Sequence, residues 1–257
     1  MTAPRSLTSS RRAALGVSAA VTLAACAGPA GAQPARRRDA GHVVLLGDSV
    51  LDNSGYLQGS GPDVVAQLRT RLPAGWRATL AAQGGAVAAD VAAQLGRLPA
   101  DATHLVISAG GNNAARQETM LGAAARSVAD GLARMAGLRE EFAREYRTML
   151  DAASRPDLPL ALCTIYDPRF TDPLRRRITV AALATFNDVI TREAFARGLA
   201  VIDLRLICNQ DADFAGPTGP SVQGGGKIAA AVAEWAASPD PARGRSEVFV
   251  KGGKENR

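Results

Sequence analysis

Histidine is scarce in this chain, with only His42 and His104 among 257 residues. Three cysteines, Cys26, Cys163 and Cys208, are far apart in sequence. Two distant imidazoles and scattered thiols do not make a metal-ligand cluster, so no metal and no other cofactor is expected. A phosphate loop of the Gly-x-x-x-x-Gly-Lys type is missing as well. Gly224-Gly225-Gly226-Lys227 lacks that spacing and reads as a flexible start to the last helix. No repeat and no heptad pattern occurs. The uncharged stretch 13–25 is too short to span a bilayer as a finished helix.

Acidic residues are outnumbered, giving a net charge of +6, but the excess is confined to the ends. Arg5, Arg11, Arg12, Arg36, Arg37 and Arg38 stand without an acid in the first 38 residues, and five bases face two acids after residue 242. The stretch between is net acidic, which argues against a nucleic-acid surface on the domain.

The amino terminus reads as an export signal: Arg5, Arg11 and Arg12, then a short apolar run, then small residues. Leu23-Ala24-Ala25-Cys26 resembles a bacterial lipobox, which would lipidate Cys26 and give the protein its only membrane attachment. Ser10-Arg11-Arg12 resembles the start of a twin-arginine signal, and cleavage after Ala30-Gly31-Ala32 would instead release a soluble secreted protein. The expected organisation is signal and tether over 1–40, one domain over 41–238, and a disordered tail over 239–257. Cys163 and Cys208 are expected to be free thiols, Cys163 because it lies within an apolar run.

Within the domain, near-continuous apolar runs at 42–47, 77–82, 104–109, 160–166 and 199–204 predict parallel strands covered on both faces. Helical spacing links Val64, Leu68 and Leu72, then Phe142, Tyr146 and Met149, then Ile228, Val232 and Trp235, all expected in the core. Five β units, each followed by a helix, predict an α/β doubly wound sheet with its ligand site beyond the carboxyl ends of the strands. At those ends stand Gly47-Asp48-Ser49, Gly84-Gly85 and Gly110-Gly111-Asn112-Asn113. A serine hydroxyl, a glycine N–H and an asparagine amide at neighbouring strand ends are the parts of a nucleophile with an oxyanion hole.

These blocks, in this order, resemble the SGNH/GDSL hydrolase family over residues 42–236. The resemblance implies a flavodoxin-like three-layer α/β/α sandwich with a five-stranded parallel sheet. It also implies hydrolysis of esters such as acyl lipids or acetylated sugars, so the expected partner is a small-molecule or glycan ester. Carried over by position, Ser49 would be the nucleophile, and the N–H groups of Ser49 and Gly85 with the side chain of Asn112 would hold the oxyanion.

The family's last block, Asp-x-x-His, is degenerate. Aligning Pro220-Ser221 with the usual Pro-Ser puts Gly216 at the aspartate position and Gly219 at the histidine position, and Asn113 stands where many members carry aspartate. Neither histidine can substitute, because roughly 20 Å of extended strand separates His42 from Ser49 and similarly His104 from Asn112. Of the carboxylates near that rim, Asp52, Asp167, Asp203 and Asp213, the best substitute base is Asp213 on a Gly/Pro-rich loop, provided burial raises its pKa. A histidine installed at 219 is expected to raise hydrolysis. Three readings follow: a slow or unconventional ester hydrolase, a catalytically degenerate envelope lipoprotein that binds an acylated or glycan ligand, and an acyltransferase on envelope polysaccharide.

Overall fold

The computed structural model describes residues 40–238 and 246–250, and in it all six strands lie parallel in one sheet, in the order β2-β1-β3-β4-β5-β6. The strands are β1 (His42–Gly47), β2 (Arg77–Leu80), β3 (His104–Ser108), β4 (Leu160–Cys163), β5 (Ala200–Ile202) and β6 (Val248–Phe249). Between them run α1 (Ser54–Leu57), α2 (Val64–Arg71), α3 (Val91–Leu95), α4 (Gly111–Ala115), α5 (Val128–Ala153), α6 (Pro173–Ala196), α7 (Leu204–Ile207) and α8 (Val222–Ala236). The expected signal segment, the lipobox with Cys26 and the tether up to residue 39 lie outside the described residues.

Alternation along the strands divides the core into two layers. Val43 and Leu45 of β1, with Val106 of β3, pack under α2, α7 and α8. Val44, Leu46, Leu105 and Ile107 face the opposite way, under α3, α5 and α6. Both faces of the sheet are therefore dry, which is why its strands read as unbroken apolar runs. The three helical stripes predicted from spacing are buried in these layers. Side-chain caps start the four longest of the helices: Asp63 on α2, Ser127 on α5, Asp172 on α6 and Ser221 on α8.

Two expectations are corrected. The sheet has six strands rather than five, because part of the predicted disordered tail, Val248–Phe249, pairs with β5. The N–H groups of Val201 and Asp203 donate to Glu247 and Phe249 carbonyls, which satisfies an otherwise open sheet edge. The glycines at 224–226 are not a flexible start but lie inside α8. A Cβ on Gly224 would lie 2.1 Å from the carbonyl oxygen of Asp213, and one on Gly226 would lie 2.6 Å from Gln67 Oε1. Their smallness lets the helix approach its neighbours closely. Cys163 and Cys208 are buried and unpaired.

The chain passes from β1 to β2 on one side, then returns to pair β3 on the other side of β1. The crevice created by that reversal opens beyond the carboxyl end of β1.

Candidate active site

Gly47, the last residue of β1, has φ +111, and a Cβ there would sit 1.8 Å from the Ser108 carbonyl oxygen. Only glycine fits this close approach between β1 and β3. The buried amide of Gln94 clamps the same residue, accepting from Gly47 N–H at 2.6 Å and donating to its carbonyl at 2.9 Å. Beyond it, Asp48 N–H donates to Ser108 O at 2.9 Å. The Asp48 carboxylate accepts from Ser108 Oγ at 3.0 Å and Val50 N–H at 3.1 Å. These bonds set the turn that presents Ser49.

Burial pushes the Asp48 carboxyl up to about 6 from its ordinary 3.8, against the opposing effect of those hydrogen bonds. The sign follows from linkage. Below about pH 4 both the folded and the unfolded chain keep this proton. Between about pH 4 and 6 the unfolded chain ionises first, and above that the fold bears a full penalty on the order of 2–3 kcal/mol. Asp48→Asn retains the accepting oxygen and removes the titration. Its stability relative to wild type is therefore expected to rise by about 2 kcal/mol between pH 4 and pH 7 in urea unfolding. A difference independent of pH would contradict the burial argument.

Three loops meet at Ser49. A Cβ built on Gly84 would lie 3.9 Å from Ser49 Cβ, so the turn after β2 reaches the serine directly. Gly84 N–H donates to Asp52 Oδ2 at 3.0 Å, which ties that turn to the one after β1. Gly85 follows in open space. Asn112, in the short helix after β3, donates from Nδ2 to Ala86 O at 2.8 Å, and Asn113 Oδ1 accepts from Ala88 N–H at 3.0 Å. The asparagine pair thus stitches the third loop to the second.

Ser49 and Asn112 share the wall of a cavity of about 160 Å³. Most of its lining is apolar, including Met120, Leu121, Met135, Leu138, Leu183 and Phe186. Gly85 is not part of this wall. Ser49 Oγ lies 3.0 Å from the phenol oxygen of Tyr56 on α1, a residue the sequence reading passed over. The Tyr56 ring rests on Gly219, where an added Cβ would come within 2.3–2.6 Å of ring carbons.

Asp52, Asp203, Asp213 and both histidines are committed elsewhere, whereas Asp167 accepts from Arg169 Nη1 only through its backbone carbonyl, at 3.1 Å. Asp213 is not on a mobile loop but buried, with its carboxylate accepting from Lys227 Nζ at 2.8 Å, Gln223 Nε2 at 2.9 Å and Gln210 N–H at 3.0 Å. Burial opposes its ionisation, but the Lys227 ammonium and these hydrogen bonds outweigh that and hold the carboxyl below its ordinary value. It is a poor proton acceptor, and no hydrogen bond joins it to Ser49. Asp203 is paired with Arg205 and Thr164, and Asp52 holds Gly84. His42 sits at the start of β1 between Asp101 and Thr79. His104, at the start of β3, packs between Trp76 and Trp235. Both imidazoles lie at strand starts, away from the rim that carries Ser49.

The model of the GDSL-like lipase/acylhydrolase family matches residues 45–224. The chain belongs to that family. No curated protein matches the sequence. Among solved structures, the chain is similar to an extracellular lipase from Streptomyces rimosus, at 20% identity and TM-score 0.57 over 77% of this chain and 100% of the lipase. It is also similar to phospholipase A1 from Streptomyces albidoflavus, at 17% identity and TM-score 0.56 over 77% and 99% of the two chains. LAE5, an α/β hydrolase from the metagenome of Lake Arreo, gives 23% identity and TM-score 0.54 over 77% and 94%. At these identities the likeness bears on the fold.

Set beside the GDSL pattern, the degenerate last block has a physical counterpart. At the histidine position, Gly219 faces a ring that fills the volume a side chain would need. At the aspartate position, Gly216 has φ +88, a conformation strained for any residue with a Cβ. The expectation that histidine at 219 alone raises hydrolysis is therefore corrected: its Cβ would collide with Tyr56.

Proposed function

We propose that this GDSL-family chain is a slow serine ester hydrolase of the cell envelope, with Ser49 as nucleophile and with substrates carrying an apolar acyl group. The observation that carries this reading is the placing of the Ser49 hydroxyl on the wall of an apolar cavity, beside the Asn112 amide and the Gly84-Gly85 turn. The second N–H of the Asn112 amide, the first being donated to Ala86 O, is suited to hold charge developing on a carbonyl oxygen. The apolar wall suits an acyl chain better than an acetyl group or a sugar. The structural neighbours include a lipase and a phospholipase A1, whose names describe the same bond cleavage. Slowness follows from glycine at both positions of the usual base and acid. Export, and attachment through Cys26, rest on the arginine-led apolar start of the sequence.

Binding of an acylated or glycan ligand without turnover is the second reading, favoured by the side chain that fills the histidine's volume. Fluorophosphonate labelling with a p-nitrophenyl ester series separates the two. Covalent labelling and measurable turnover are expected. Burying two further methylenes should favour butyrate over acetate about tenfold in kcat/KM, at about 0.8 kcal/mol each. Equal rates would remove the apolar acyl pocket from the proposal. A folded, unlabelled protein that still binds acylated ligand would establish the second reading.

A further inference from the structure

Among the described residues, the side chain that hydrogen-bonds the Ser49 hydroxyl is Tyr56, and we propose that its phenol is the proton-transfer group of Ser49, standing where the family's histidine would stand. The proposal rests on Ser49 being the nucleophile.

Three features of the structure support it. The Oγ to Oη separation of 3.0 Å is within the reach a general base requires. Among the described residues no histidine, lysine or arginine lines the cavity, and its two carboxylates are already engaged. Asp48 accepts from Ser108 and Val50, and Glu118 is paired with Arg175. Finally, the phenol is held from two sides. Its ring is seated on Gly219, and buried Asn53 at the start of α1 donates to Pro220 O at 3.2 Å while accepting from Val64 N–H at 2.9 Å. Asn53 thereby ties Tyr56's short helix to the backbone beside Gly219 and to the first turn of α2. A group that is positioned by such a shell before substrate arrives is what proton transfer needs.

The step balances with water as the sole co-reactant. The phenol first releases its proton to solvent. As Ser49 Oγ bonds the acyl carbon, its proton passes to the phenolate, which returns it to the departing alkoxide when the ester C–O bond breaks. Water then bonds the acyl carbon and gives a proton to the same oxygen, which passes it to Ser49 Oγ as the acid leaves.

The groups around this site are Asp48 and Asp52 on the nucleophile's turn, Tyr166 after β4, Glu118 on the cavity wall, and Asp213 in the segment leading to Gly219, already paired with Lys227. Only a phenol that has given up its own proton can accept that of Ser49, so turnover above the Ser49→Ala background should climb with pH on the alkaline side.

Tyr56→Phe keeps the ring on Gly219 and removes only the hydroxyl. It is expected to lose about 100-fold in kcat at pH 9, to lose the alkaline climb, and to leave KM for butyrate esters nearly unchanged. Tyr56→Ala combined with Gly219→His clears the ring and supplies an imidazole, and should exceed wild type at pH 7. If Tyr56→Phe matches or outpaces wild type while Ser49→Ala is inactive, the phenol has no transfer role and the inference falls, with Ser49 still the nucleophile. If wild type never exceeds Ser49→Ala at any pH, the hydrolase reading falls and this inference with it.

Discussion

Ser49→Ala is expected to abolish fluorophosphonate labelling and to lower ester turnover at pH 9 by about 100-fold. The two readouts report different things. Labelling needs a hydroxyl activated for one attack on the probe, and alanine removes that oxygen. Turnover needs the proton acceptor to serve again when water releases the acyl group. In Ser-His-Asp enzymes, loss of the base alone costs about as much as loss of the nucleophile, while binding and the oxyanion hole still provide about 10³–10⁴-fold over water. A chain without any acceptor would thus already sit at that floor, and removing its serine would change turnover little. The size of the drop therefore measures whether a group beside Ser49 moves its proton. Labelling of the alanine variant at another residue, with turnover intact, would remove Ser49 from the mechanism.

Gly47→Ala is expected to cost more than about 4 kcal/mol, a large share of the 5–15 kcal/mol by which domains are stable. Two penalties coincide there. The backbone holds φ +111, and the new methyl would meet the Ser108 carbonyl at 1.8 Å. Relieving that overlap means parting β1 from β3 at the Gly47–Ser108 pair and breaking the Gln94 clamp. Each broken bond exposes a buried backbone group to loss of its partner. Thermal unfolding should show a fall in Tm of about 10 °C or more, or no folded protein. A shift of only a few degrees would mean that the turn under Ser49 is looser than described.

Much of the fold could be read from local pattern. Four of the five predicted strands start where the apolar runs start, and β5 starts one residue later, because both faces of a parallel sheet must be dry. The runs overestimate where strands end: 160–166 yields Leu160–Cys163, since the chain leaves the sheet at Thr164 while remaining buried. The sixth strand gave no such signal. Val248–Phe249 is two residues long with charged neighbours, and it is ordered by the N–H groups of β5 rather than by its own burial. Ser49, Gly85 and Asn112 stand out because strand ends in this topology converge on one rim, and the structure brings Ser49 and Asn112 to one cavity wall. Asp213 was misread because Lys227 lies fourteen residues along the chain on another element, and only folding brings its ammonium to 2.8 Å from the carboxylate.

The sequence by itself determined the layered α/β class and the order of the chemistry-bearing turns, and its alignment on Pro220-Ser221 leaves glycine where the base and its partner acid are usual. Those properties are local or periodic, so they survive being read one residue at a time. The tertiary structure alone decided what fills the gap. Tyr56 and Gly219 are distant in sequence, and only the packing of α1 against the segment before α8 puts a phenol ring on a glycine and its oxygen beside a serine. A missing side chain leaves a mark in a sequence, but the group that takes its volume is known only when distant segments close on the same space.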